Sequence, residues 1–324
     1  MITFDKIKFV TSIDNIDTIQ ENKFDNIYKN GTLAELKYTQ QSPYLLYIEV
    51  DYIEQELVIE FTGKILLEHY PMLISRATIK ECLNNINTID ICQLNVEAIL
   101  QDGEICKADV CRDIEYHDCK QLTQSINLSV KNHNKYLART INNNFIIEKN
   151  VKSKTLKKRL TIYDKGKEIR LVANRDFLCS LNAPQVCIDY FTNKIRFELN
   201  LNSKEQIRKS LHISETRIQS VLNSESNPIL EYINVVLADE DIIPSNLTVN
   251  NYCKLLLLQN SDYDLAKVET VVRQLSANGT HISQAMQPFR KLMKYANMPR
   301  VNGIKNQLQK LLLEITILIM FVSI

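Results

Sequence analysis

Over roughly its first two hundred residues the chain alternates apolar and polar side chains with period two, and after Asn202 it changes to helical spacing almost throughout. Period two puts successive side chains on opposite faces of a strand, so the first part is constrained to a sheet with one buried face. One candidate strand runs through Ile2, Phe4, Ile7 and Phe9, and another covers residues 44–50. A third, residues 56–62, sets Leu57, Ile59 and Phe61 against Val58, Glu60 and Thr62. Helical spacing interrupts at residues 77–86, a turn at 101–104 leads into a strand at 105–116, and a second helix follows at 119–136. Strands are then expected around 145–147, 160–163 and 169–172, the last two joined by a tight turn at Asp164-Lys165-Gly166, with a further strand at 194–201. Strands and helices joined by short hairpin-type connections predict an α+β fold, a mainly antiparallel sheet with helices packed on one face. A helical C-terminal domain follows, giving a division into residues 1–202 and 203–324, with Ser203 and Ser214 as N-caps.

Composition is needed for what it excludes. With 45% apolar residues in 324, the chain can bury a substantial core. Its formal charge is only +1, so the distribution of charge matters more than the total. Residues 1–70 carry 12 acidic and 6 basic side chains, whereas residues 149–170 carry nine basic ones against Asp164 and Glu168. A second basic region, 270–313, has seven Lys or Arg and no acid. Two such runs in a nearly neutral chain suit a phosphate-tracking surface or a pair of solvated faces. The eight cysteines form no CxxC pair and have no histidines at zinc-finger spacing, which argues against structural zinc and for reduced thiols in a cytoplasm. No glycine-rich phosphate loop is present, so ATP use is not expected. The apolar stretch 311–324 is interrupted by Glu314 and is too short to span a bilayer; a terminal packing helix is expected.

Three segments carry candidate chemistry. In Lys107-Ala108-Asp109-Val110-Cys111-Arg112-Asp113-Ile114-Glu115, strand geometry places Asp109, Cys111, Asp113 and Glu115 on one face. Carboxylates stacked this way call for a cation such as Mg²⁺ or Mn²⁺, or form an exposed polar face. In Lys158-Arg159-Leu160-Thr161-Ile162-Tyr163-Asp164-Lys165-Gly166-Lys167-Glu168, a tyrosine at a strand end abuts a lysine-rich turn. Cations there would acidify the phenol as a nucleophile needs, with Lys165 placed to stabilise charge on a phosphate, although most strand-end tyrosines only pack. In Lys194-Ile195-Arg196-Phe197-Glu198-Leu199-Asn200-Leu201, Arg196 and Glu198 share the face opposite three apolar side chains. They mark either a site on the sheet's open side or a cross-strand ion pair.

In this order the segments resemble the filamentous-phage gene II and gene X replication initiators and their plasmid relatives. The resemblance covers about residues 40–215 and rests on Asp109 to Asp113, on Ile162-Tyr163-Asp164-Lys165-x-x-Glu168-Ile169, and on Ile195-Arg196-Phe197-Glu198. Upstream, Leu57-Val58-Ile59-Glu60-Phe61 followed by His69-Tyr70-Pro71 resembles an earlier strand of the family. The chain departs from the pattern in having Lys107-Ala108 where relatives have an arginine before Asp109, and in lacking a His-hydrophobic-His triplet. The resemblance implies a rolling-circle nickase-like fold, with a nicking domain at 1–202 and a DNA-binding or accessory domain at 203–324. It implies an origin-specific nick in which Tyr163, assisted by Lys165, keeps the 5′-phosphate and releases a 3′-OH primer. The metal ligands would be Asp109, Asp113 and Glu198, with Glu60 and His69 as alternates. DNA contacts are expected from Lys154, Lys157, Lys158, Arg159, Lys167 and Arg196, and from Arg290, Lys291 and Lys294 in the helical part. The implied partners are origin DNA, with the nicked strand bound single, and a host helicase and polymerase in a bacterial cytoplasm; no membrane is involved. Tyr70, Tyr116 and Tyr190 are candidates for a second nucleophile. A non-catalytic DNA-binding regulator of copy number or transcription is the alternative.

Overall fold

A computed structural model describes residues 2–131, 135–153, 157–237, 247–276, 281–295 and 304–313. Ten strands make one antiparallel sheet: β1 (Phe4–Ser12), β3 (Asp25–Lys29), β4 (Thr32–Gln40), β5 (Leu46–Asp51), β6 (Glu56–Thr62), β8 (Glu104–Glu115), β9 (Tyr136–Ile141), β10 (Asn144–Lys149), β11 (Arg159–Asp164) and β12 (Lys194–Leu201). Their spatial order is β3-β4-β5-β6-β1-β8-β12-β11-β10-β9. A separate small pair joins β2 (Ile16–Ile19) to β7 (Cys92–Leu94). The fold is α+β with a large antiparallel sheet, as the alternation predicts, and β6 buries Leu57, Ile59 and Phe61 on one side.

The central strands send their apolar sets to one face, where a continuous core forms from Phe4, Phe9, Phe61, Ile105, Val110, Phe197, Leu199 and Leu160. Helices α1 (Ile79–Thr88), α2 (Val96–Asp102) and α3 (Cys119–Ser129) close over it with their own apolar stripes. So do α7 (Lys204–Leu211), α8 (Ile218–Leu222), α9 (Pro228–Val236) and α13 (Ile304–Leu313), through Ile207, Leu211, Val221, Ile233 and Leu308. The core therefore runs across Asn202, and the change of periodicity there marks the point where the chain turns from building the sheet to covering it. A separate small core of Leu258, Val268, Met286, Phe289 and Leu292 belongs to α10 (Val249–Asn260), α11 (Leu265–Leu275) and α12 (Ile282–Leu292).

Helices are not confined to one face. The short α4 (Lys165–Glu168), α5 (Arg175–Cys179) and α6 (Pro184–Phe191) build a second layer over part of the opposite, polar face, with Tyr70, Cys111, Phe177 and Phe191 as its filling. This replaces the expected hairpin after Tyr163. The Asp164 carboxylate accepts from the Lys167 amide at 2.9 Å and caps a helix, so residues 169–172 are not a strand. Ser203 caps α7, accepting from the Gln206 amide at 3.2 Å, whereas Ser214 caps nothing and Arg217 holds the N-cap position of α8. All eight cysteines are free thiols, four of them buried. Residues 314–324, most of the apolar terminal stretch, lie outside the described residues. Among the described residues no helix is long and apolar enough to cross a membrane.

Gly166 is where the second layer meets the sheet. A Cβ there would lie 2.7 Å from the Phe191 carbonyl oxygen, a backbone atom that cannot step aside. Gly166→Ala is expected to cost about 1–3 kcal/mol in chemical denaturation; unchanged stability would show that this packing is looser than described.

Candidate functional site

The polar face is organised by residue pairing. Across β11, β12 and β8 the cross-strand rows are Tyr163, Arg196, Asp113; then Thr161, Glu198, Cys111; then Arg159, Asn200, Asp109. The third row continues to Lys6 on β1. The three candidate segments, separated by up to about ninety residues in sequence, thus lie on three neighbouring strands. β1 adds two adjacent charged side chains because its pairing with β8 shifts between Phe4 and Lys6. This bulge turns both Asp5 and Lys6 toward the polar side while Phe4 and Ile7 stay in the core.

Arg196 is fully buried at the centre. Its Nε and Nη2 donate to the two Asp113 carboxylate oxygens at 2.7 and 2.9 Å, and Nη1 donates to the Tyr70 hydroxyl at 2.9 Å and to Asp5. Tyr70 in turn donates to Asp5 at 3.1 Å. Burial alone would push Asp5 up, but Arg196, Lys165 and Lys64 outweigh it and hold the carboxyl below its ordinary value. Arg196 is therefore not the DNA contact that the sequence led us to expect: it sits fully buried on a central strand under the α4–α6 layer, presented to other side chains, and the cross-strand ion-pair alternative describes it.

Tyr163 keeps 9% of its surface exposed, and its hydroxyl donates to Glu198 Oε2 at 3.1 Å. Burial pushes the phenol well above its ordinary value and the Glu198 charge adds to the shift, while Arg196 opposes it. The acidification expected from the lysine-rich turn does not occur, because those lysines are engaged elsewhere. Lys165, 2% exposed, pairs with Glu168 and lies 5.2, 5.5 and 5.8 Å from the ring centroids of Tyr70, Phe191 and Tyr163. Its ammonium is a caged structural cation rather than a group facing an open phosphate site. Lys167 pairs with Asp164 at 3.0 Å.

Glu198 is strongly displaced from ordinary behaviour: burial first, then the charges of Asp5 and Asp109, push its carboxyl up to about 8. Asp109 is also raised by burial, although Lys6 at 3.2 Å and the Asn200 amide at 2.6 Å oppose this.

The expected metal ligands share this face but do not converge. Asp113 is taken up by Arg196, Asp109 by Lys6 and Asn200, and Glu198 accepts from Tyr163. Of the alternates, Glu60 faces Lys6 and Lys8 at 3.7 and 3.8 Å, and His69 is exposed on Glu81 at 2.7 Å. Among the described residues no group of three or more His, Cys, Asp or Glu is placed to hold a metal ion. As arranged, these residues do not fit a divalent cation; the positive charge beside Asp109 and Glu60 is the Lys6 ammonium.

Of the expected DNA contacts, Lys157 and Arg159 lie on the polar face against Glu148 at 3.0 and 3.3 Å. Lys158 points through the sheet to Ser210 of α7 at 2.6 Å, as period two requires of its neighbour's opposite. Arg290, Lys291 and Lys294 are exposed at the end of α12 and just beyond, and Lys154 lies outside the described residues. The residues missed by sequence reading are Asp5, Lys6, Lys64 and Glu148; only the three-residue step from Phe4 to Ile7, which breaks the alternation, signalled the first two. The possible second nucleophile Tyr70 is consumed by Arg196 and Asp5, and burial raises Tyr190 as well. No protein-family model, curated protein or solved structure matches the chain significantly.

Two outcomes follow from this geometry. Because the Glu198 carboxyl is raised from 4.5 to about 8 on folding, its favourable contribution is complete below the lower value and is lost as pH rises through the upper one. Glu198→Gln is therefore expected to gain stability over the native chain between pH 5.5 and 8.5, by at most on the order of 4 kcal/mol in urea denaturation. A pH-independent difference would mean that Glu198 is not held neutral. Arg196→Met strands Asp5 and Asp113 in the interior, and is expected to cost about 3–5 kcal/mol in the same measurement; a loss near zero would show that the network is dispensable.

Proposed function

We propose that the chain nicks DNA to start rolling-circle replication, with Tyr163 as nucleophile and Glu198 as the base that activates it. The observation that carries this reading is the Tyr163–Glu198 hydrogen bond on the polar face, between the strands that hold the resembling segments. A phenol raised by burial is a poor nucleophile until its proton is taken, and a carboxyl poised near pH 8 at 3.1 Å is matched to that task. In the step, Glu198 removes the phenolic proton as the Tyr163 oxygen forms its bond to phosphorus. The bond from phosphorus to the 3′ oxygen breaks, and that oxygen leaves with a proton from water as the primer hydroxyl. The protein retains the 5′ end as a phosphotyrosine, which stores the bond for rejoining.

Arg196 and Lys165 act as positioning residues. Arg196 fixes Asp113, Asp5 and Tyr70, and so the row in which Tyr163 stands. Lys165 packs against the Tyr163 ring and pairs with Glu168. No step passes through a divalent cation, since the carboxylates proposed to bind one are engaged by Arg196, Lys6, Asn200 and Tyr163. Exposed Arg290, Lys291 and Lys294 suit backbone contacts to origin DNA.

The test is supercoiled origin plasmid incubated with the protein. Relaxation and a covalent adduct are expected, with Tyr163→Phe abolishing both and Glu198→Gln slowing nicking at least a hundredfold. The rate should climb with pH until the Glu198 carboxyl is ionised, near pH 8, and level off above it. Plasmid that stays supercoiled with no adduct, under conditions where the protein binds it, would leave a DNA-binding regulator in place of an enzyme.

A further inference from the structure

Glu148 on β10 is 1% exposed, yet three cations converge on it. Arg139 Nη2 from β9 lies at 2.7 Å, Lys157 Nζ at 3.0 Å and Arg159 Nε from β11 at 3.3 Å. One carboxylate needs one partner, so the cluster carries a net charge of about +2 on side chains that stay partly exposed. Each arginine contacts the carboxylate through a single nitrogen, one part of a five-donor fork. The buried carboxylate thus acts as a fixed post that prevents the three cations from spreading apart.

The position of the cluster gives it a use. Glu148 pairs directly with Arg159, and Arg159, Thr161 and Tyr163 follow one another on the same face of β11. Same-face residues on a strand are about 6.7 Å apart, comparable to the step between neighbouring phosphates on an extended nucleic-acid strand. We propose that the Arg139–Lys157–Arg159 cluster grips the backbone phosphates of a single DNA strand two to three nucleotides from the one attacked by Tyr163, so that the strand runs along β11. The Thr161 hydroxyl lies between cluster and nucleophile, on the path. The cluster occupies the outer part of the sheet, on the three strands that end at the β9 edge, where one extended strand can lie alongside. The proposal rests on the nicking reading for the role of Tyr163, but the phosphate grip itself is measured separately.

A fluorescein-labelled twelve-nucleotide oligo-dT, titrated by anisotropy across a range of KCl concentrations, provides that measurement. Arg139→Ala/Arg159→Ala is expected to lower affinity at least tenfold and to make the slope of log K against log salt shallower by about 1.4, roughly 0.7 for each lost phosphate contact. Arg139→Ala alone leaves two cations on Glu148, so it keeps the fold and should lose about half of that slope. A folded double variant with the native slope would overturn the proposal, as would an equal loss on a duplex of the same length. An adduct at Tyr163 formed by a double variant of native slope sinks the grip and spares the nickase. Native protein that binds with the expected slope but forms no adduct sinks the nickase and spares the grip.

Discussion

The burial of one guanidinium governs the polar side of this molecule. Taking a charge of that size out of water costs several kcal/mol even after relaxation, so Arg196 can stand inside only where each of its nitrogens finds an acceptor. Asp113 on β8 accepts two hydrogen bonds, and Asp5 on β1 and Tyr70 in the turn that follows β6 accept two more. Those partners have to be in register to within one residue, because a slip would turn every side chain to the other face. Tyr163, in the same row as Arg196, and Glu198, in the next, inherit that precision. Among the described residues no side-chain polar atom of the network is buried without a partner.

The alternation along the chain made the sheet legible, because period two is a direct consequence of strand geometry and one face is apolar nearly throughout. The strands β3, β4 and β9 were not legible: β3 and β9 lie at the sheet edges, and the TLAELKYTQ run of β4 buries Ala34, Leu36 and also Glu35, which blurs the pattern. The second helical layer was hidden for a different reason. Residues 165–191 contain helices of four, five and eight residues, too short for periodicity to register, and their order comes from capping and from Phe177 and Phe191 packing on Tyr70.

For the site, the sequence identified which strands carry polar residues but not what those residues do to one another. The basic run around Tyr163 reads as a cationic surface when charges are counted along the chain. In space, pleating sends Lys158 to one side and Arg159 to the other, Lys165 is caged by aromatic rings, and Lys167 sits on Asp164. The acidic strand reads as a metal cradle when its neighbours are unknown, but arginine, asparagine and lysine from β12 and β1 fill that role. Non-local pairing decides both matters, and a single sequence does not display pairing.

The placement of β1 has a consequence for how the molecule is assembled. This strand stands in the middle of the sheet, between β6 and β8, and carries the backbone pairing that joins the two halves of the sheet. The contact between Asp5 and Arg196 spans 191 positions of chain. Closing a loop that long is slow compared with zipping neighbouring hairpins, so the half from β3 to β6 can form well before the other half docks. Until β12 arrives, Asp5 and Asp113 remain hydrated and incur no cost of burial. Pairing of β12 brings in Arg196 and seals those charges inside, so assembly of this part of the sheet and closure of the polar face belong to one step.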